Sequence, residues 1–343
     1  MMKLICAALA CFTVLALGAP LRAADAFSYE GRAATPAPIP PAEQGLQSVE
    51  ARPLKVVNSE RHILEGAVFD RGGNLYFCDV TGGKVQKLTP ENELSDHVVL
   101  DGLAPCGLAF GPDGRLYMAV KNPEGSAGSI LAVPQSGGRP EVIVSAEKGY
   151  LPNDLAFDSR GGLYFSDCKG SSTVTGGGIV YLAPDGRLTT VIPDMAQANG
   201  VALSPDDTVI WATEYAREQL HKTTVRDSTQ LVPFRSHIPY RFTGRGPDSM
   251  RVDADGNVYV AMMSQGRVLI FNPNGFPIGQ ILLPGRDEGR NLLSTSLAIH
   301  PEKKEVRIVS SNPAESDSAD AVIFTAPAFA PGLKSGERAG PGQ

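Results

Sequence analysis

The sequence predicts an all-β fold, a six-bladed β-propeller, on three observations. A short strand–turn–strand pattern recurs six times. Its spacing suits a four-stranded blade. Glycine and proline, 37 and 27 of the 343 residues, punctuate the chain too often for long helices. The formal charge of −6 argues against nucleic acid as a partner, because a phosphate-binding face would be basic. With 42% apolar and 20% charged residues, the chain has the composition of an ordinary folded core rather than a disordered one.

Residues 1–26 read as a signal peptide. Met1-Met2-Lys3 is a positive start, Leu4 to Gly18 an apolar run, and Ala24-Asp25-Ala26 an A-x-A cleavage pattern. Pro20 and Arg22 interrupt the run before it reaches the ~20 residues of a membrane span. The expectation is a periplasmic or secreted protein with no membrane span after cleavage. Cys78, Cys106 and Cys168 remain in the mature chain, enough for at most one internal disulfide in an oxidising compartment, with its pairing left open. Residues 27–50, with Pro36, Pro38, Pro40 and Pro41, read as an N-terminal arm; 51–330 as the propeller; and 331–343, aperiodic and rich in Gly and Pro, as a flexible tail.

The repeats begin Glu65-Gly-Ala-Val-Phe-Asp70, Cys106-Gly-Leu-Ala-Phe-Gly111, Asn153-Asp-Leu-Ala-Phe-Asp158, Asn199-Gly-Val-Ala-Leu-Ser204, Asp248-Ser-Met-Arg-Val-Asp253 and Thr295-Ser-Leu-Ala-Ile-His300. Each runs through a turn into a second strand rich in β-branched and aromatic residues, anchored at Leu75, Leu116, Leu163, Ile210, Val258 and Val306. The anchors lie about 41 to 48 residues apart, the length of a propeller blade. Third strands are expected at Lys84–Leu88, Ser129–Val133, Gly178–Leu182, Gln219–Thr223 and Arg267–Phe271. Ring closure is expected from Ala321–Thr325 pairing with Leu54–Val57, which protects the sheet edges.

At one phase of the repeat, two or three places ahead of each first strand, stand Glu65, Cys106, Asn153, Asn199, Asp248 and Thr295. First strands of a propeller line its axis, so these positions are expected to form a ring at one mouth. Two carboxylates and two amide carbonyls supply hard oxygen ligands that suit Ca²⁺, with Mg²⁺, Mn²⁺ and Zn²⁺ as alternatives. Zinc ranks low because the five histidines are scattered and no C-x-x-C or H-x-x-x-H spacing occurs. Each residue alone also fits an ordinary turn or solvated position, and only the shared phase favours a metal. No G-x-S-x-G elbow or P-loop is present.

At these residues the chain resembles the family of senescence marker protein, gluconolactonase and luciferin-regenerating enzyme, calcium-dependent six-bladed propellers to which squid diisopropyl fluorophosphatase is structurally related. The likeness spans Leu54 to Phe324. It implies Glu65, Asn199 and Asp248 as direct ligands and Asn153 as ligand or substrate contact, with Tyr150 a further substrate contact. Ile238-Pro-Tyr-Arg-Phe-Thr-Gly244, Gly246-Pro-Asp-Ser249 and the run Pro277 to Gly289 are similar to the bacterial drug-responsive lactonase branch. There Asp248 would be the acid/base residue and Ser249 would lie near the metal.

Two departures stand out. Leu151 replaces an arginine of the sugar-lactonase pattern. The branch's second, structural calcium is matched by Ser126, Gly128 and Tyr150, but Ser145 stands where its acidic ligand is expected and Lys148 adds a positive charge, unless Glu147 substitutes on a shifted loop. The expected function is an exported metal-dependent hydrolase opening a small-molecule lactone. The alternatives are a phosphotriesterase on the same site and a non-catalytic ligand-binding propeller. Oligomeric state is not legible.

Overall fold

The computed structural model describes residues 34–333. The signal-peptide segment 1–26, the first part of the arm and most of the tail lie outside the described residues.

Six antiparallel sheets follow one another around an axis. The first blade runs from its inner strand Leu64–Phe69 through Leu75–Asp79 and Lys84–Leu88 to Leu94–Val99. The inner strands of the next five are Ala104–Phe110, Pro152–Phe157, Ala198–Leu203, Pro247–Val252 and Leu293–Ile299. Each packs against the inner strands on either side, and the last packs against the first, which closes the ring. The sixth blade takes its outer strand from the start of the chain: Arg52–Asn58 pairs antiparallel with Ala321–Pro327, as expected. Third strands lie at Lys84–Leu88, Gly128–Val133, Gly177–Leu182, Gln219–Val225 and Arg267–Phe271, within two residues of expectation.

Apolar residues alternate along the strands and interdigitate between blades. Tyr76, Leu116 and Met118 fill the space between the first two sheets, and Trp211, Val258 and Phe271 that between the fourth and fifth. Burying such side chains contributes about 1.5–3 kcal/mol each, so the hydrophobic effect holds the blades radially.

The arm docks on the fifth blade. Its last residues, Ser48–Glu50, add a fifth, parallel strand to the fifth blade. Before them Glu43 is buried, 2.5 Å from the fully buried Arg267 guanidinium, and accepts a 2.6 Å hydrogen bond from the Tyr240 hydroxyl. Polar arm residues therefore neutralise a charge inside the fifth blade, which a proline-rich spacer would not do. The tail's beginning is also fixed: Gly332 donates to the His300 carbonyl and bridges to Asp253.

Candidate metal centre and its relatives

The ring residues lie inside the inner strands, not ahead of them, because each strand starts earlier than the alternation suggests. In every blade the pairing of inner and second strand slips at this point, between Glu65 and Val68, Pro105 and Leu108, Pro152 and Leu155, Ala198 and Val201, Pro247 and Met250, and Ser294 and Ser296. A bulge breaks the pleat and re-aims the side chain. Six bulges at one level turn Glu65, Cys106, Asn153, Asn199, Asp248 and Thr295 to one mouth.

Glycine allows the approach. A Cβ at Gly66 would strike the carbonyl of Cys106, one at Gly107 that of Asn153, and one at Gly200 that of Asp248. The ring residue is thus followed by glycine in three blades because the next blade's backbone occupies the space of a side chain. Hydroxyls stitch the remaining joints: Ser166 donates to the Asn199 carbonyl, Ser294 to that of Met262 (2.9 Å) and Thr295 to that of Leu64 (2.6 Å), and Thr213 reinforces the fourth joint by donating to the Asp248 carbonyl (2.8 Å).

Four blades deliver oxygen. Glu65, Asn153, Asn199 and Asp248 are each less than 9% exposed, yet Oδ1 of Asn153, Asn199 and Asp248 has no hydrogen-bond partner. An unpaired buried oxygen costs roughly 1–3 kcal/mol, so three at one level call for a ligand. Asn199 lowers and Glu65 raises the pKa of Asp248, so the Asn199 amide and the Asp248 carboxyl act on one another across neighbouring blades. Glu65 Oε2 accepts from the Gly66 N–H at 2.8 Å and lies 3.4 Å from the Ser249 hydroxyl. Ser249 is fully buried and holds Glu65 beside Asp248.

Burial pushes the Glu65 carboxyl up to about 7, with the Asp154 charge adding to it and the Gly66 N–H opposing it. Burial, and then the Glu65 charge, raise Asp248 well above the ordinary carboxylate range. Two buried like charges are held together here, and a divalent cation removes the conflict. Among the described residues no three His, Cys, Asp or Glu side chains cluster as a metal site. The donor set is instead two carboxylates and two amides. Hard oxygens with a charge of −2 fit Ca²⁺ and disfavour zinc.

The residues named for a second site make contacts of their own. The Gly128 N–H donates to the Tyr150 carbonyl at 3.2 Å, but the Ser126 hydroxyl is engaged by Asn122, and Ser145 accepts from the Glu147 N–H to cap a 3₁₀ turn. Among the described residues none of these has an unpartnered buried side-chain oxygen. The Tyr150 ring packs edge-on to Phe165, with the Lys169 ammonium 5.6 Å from its centre. The three cysteines are free, with Cys78 and Cys106 buried.

Two features escaped the sequence. One is the Arg251 guanidinium, bonded to Asp154 at 3.0 Å and to the Ala67 carbonyl at 3.0 Å, which lies between the ring and a cavity of about 340 Å³. That cavity is lined by the opposite ends of the inner strands, among them Phe69, Phe110 and Phe157, so the ring and the cavity occupy different mouths. The other is Lys121, the last residue of Leu116–Lys121, whose charge acts on Glu65 and Asp248. The second-strand ends opposite the ring are Asp79, Lys121, Asp167, Glu214, Met262 and Ser311, and Lys121 is the one cation among them. A lysine ending the second strand, where the other blades carry Asp, Glu, Met or Ser, is the signal that marks it.

The comparisons agree with this architecture. Residues 63–292 match the family model described as SMP-30/Gluconolactonase/LRE-like region. Lactonase drp35 of Staphylococcus haemolyticus is 41% identical over 90% of this chain and 96% of its own, and that of Staphylococcus aureus strain MW2 is 40% identical over 90% and 95%. Among solved structures, a calcium-binding protein, regucalcin, from Agrobacterium tumefaciens superposes with a TM-score of 0.68 at 18% identity, covering 84% of this chain and 98% of its own. A gluconolactonase from Xanthomonas campestris gives 0.62 at 19%, covering 80% and 89%. The chain belongs to the SMP-30/gluconolactonase/LRE-like family of six-bladed propellers.

Proposed function

We propose that this protein is a calcium-dependent hydrolase that opens the ring of a small lactone. The observation carrying the reading is the set of three unpartnered buried oxygens, on Asn153, Asn199 and Asp248, beside the Glu65 carboxylate. The staphylococcal relatives named lactonase give the reaction class.

Glu65, Asn199 and Asp248 would hold the ion, with Asn153 as a fourth ligand or a contact to substrate. When bound, the ion supplies Lewis-acid polarisation of the acyl oxygen. Asp248 accepts a proton from water as the water oxygen adds to the acyl carbon, and returns it to the alkoxide released when the ring C–O bond breaks. Asn199, in the neighbouring blade, favours the ionised form of Asp248. Ser249, bonded to Glu65, sets the spacing of the two carboxylates. The leader sequence makes export part of the proposal.

The test is hydrolysis of a panel of aliphatic and aromatic lactones beside a fluorophosphate, with calcium and with a chelator, for the native protein and Asp248→Asn. Lactone turnover that needs calcium and Asp248 is expected. Preference for the fluorophosphate would make the protein a phosphotriesterase, and calcium binding without turnover of either class would make it a binding propeller.

A further inference from the structure

Lys121 ends the second strand of the second blade, paired with Ala104 on one side and Gly128 on the other. It shares strand parity with Tyr117 and Ala119, which pack towards the third blade, so its side chain leaves the sheet on the side of Asn153 and Cys168. Among the described residues no carboxylate oxygen comes within 4.0 Å of its ammonium. Burial of the chain opposes its charge, and the Glu65 and Asp248 carboxylates favour it. It is a cation at the end of the second strand, on the side of Asn153, with no carboxylate partner of its own.

Opening a lactone moves negative charge onto the acyl oxygen and leaves a carboxylate. Glu65 and Asp248 repel that charge, and Asn153 and Asn199 present oxygens. Among these residues only Lys121 carries a cationic donor. We infer that Lys121 is a further catalytic and binding residue, whose ammonium donates to the acyl oxygen as charge develops and then holds the carboxylate of the opened product. No proton leaves Lys121 in this role. The inference rests on the lactonase reading for its substrate, and it makes the pocket selective for ligands that carry or develop a carboxylate on the side of the second and third blades.

The experiment uses calcium-loaded protein and two probes, 4-hydroxybutanoate and the neutral 1,4-butanediol, bound calorimetrically to native protein, Lys121→Met and Lys121→Arg. Native protein is expected to prefer the carboxylate. Lys121→Met should weaken carboxylate binding at least tenfold, Lys121→Arg should stay within about threefold, and calcium affinity in Lys121→Met should be unchanged or tighter because a like charge has gone. Turnover of lactones by Lys121→Met should fall about 10²-fold, the cost of removing one charge-stabilising donor. Carboxylate binding by Lys121→Met equal to native, or no preference for the carboxylate in native protein, overturns the inference. Native protein that turns over lactones while the Met variant matches it leaves the lactonase reading standing without this role. Lys121-dependent carboxylate binding without lactone turnover does the reverse.

Discussion

Arg251 reaches Asp154, with Nη1 3.0 Å from Oδ2, and places an ion pair directly beneath the metal ring. Asp154 follows the ring residue Asn153 and is fully buried, and Arg251 follows Asp248 and Ser249 by two or three positions. The pair joins the third and fifth blades under the two carboxylates and separates the ring from the cavity at the other mouth.

Arg251→Met should cost about 3–5 kcal/mol of stability, because it strands the buried Asp154 carboxylate. The double variant Arg251→Met with Asp154→Asn should recover most of the loss. Chemical denaturation of the native protein and the two variants checks this, and equal losses in the single and double variants would contradict it.

Asp248→Asn should stabilise the calcium-free protein while abolishing its response to calcium. The change removes one of two buried like charges, and each kcal/mol relieved raises the midpoint by about 2 °C in a chain of this size. In native protein calcium should raise the midpoint by mass action, since it binds the folded state. Thermal melts with calcium and with chelator read both effects.

Gly107→Ala should destabilise by about 1–3 kcal/mol, since the new methyl meets the Asn153 carbonyl and forces the ring apart. Gly45→Ala, where nothing lies within 4 Å, should be close to neutral. Urea midpoints for the two variants check the contrast.

Acid should weaken the fold through His300. Its Nδ1 accepts from the N–H groups of Glu302 and Lys303, at 3.1 and 3.2 Å, and burial lowers its pKa from 6.5. The folded state therefore binds this proton less readily than the unfolded chain, and stability is complete above 6.5 and falls as the pH drops below it. Burial lowers His97 as well, with the same sign. His300→Asn should flatten the slope of stability between pH 7 and 5, read by denaturation at each pH.

The ring was legible because repetition samples one structural position six times. Glu65 or Asn199 alone is an ordinary turn residue, and only their common phase separated them from chance. The features that escaped depend on contact across blades. Arg251 lies in an apolar alternation where nothing marks its partner 97 residues away. Lys121 was hidden because the second blade pairs it opposite Ala104, two residues before Cys106, whereas the third pairs Asp167 opposite Pro152, one before Asn153. Glu43 looked like part of a spacer because its partner Arg267 lies in the fifth blade. The start of each inner strand was misjudged for a related reason: the bulge that aims the ligand also breaks the alternation by which a strand is recognised.

The most direct test of the central claim, that four blades cage one cation, is calorimetric titration of calcium into chelator-treated protein. One site per chain is expected in native protein, lost in both Glu65→Gln and Asp248→Asn. Native protein that takes up no calcium, or variants that bind it as native protein does, would contradict the account.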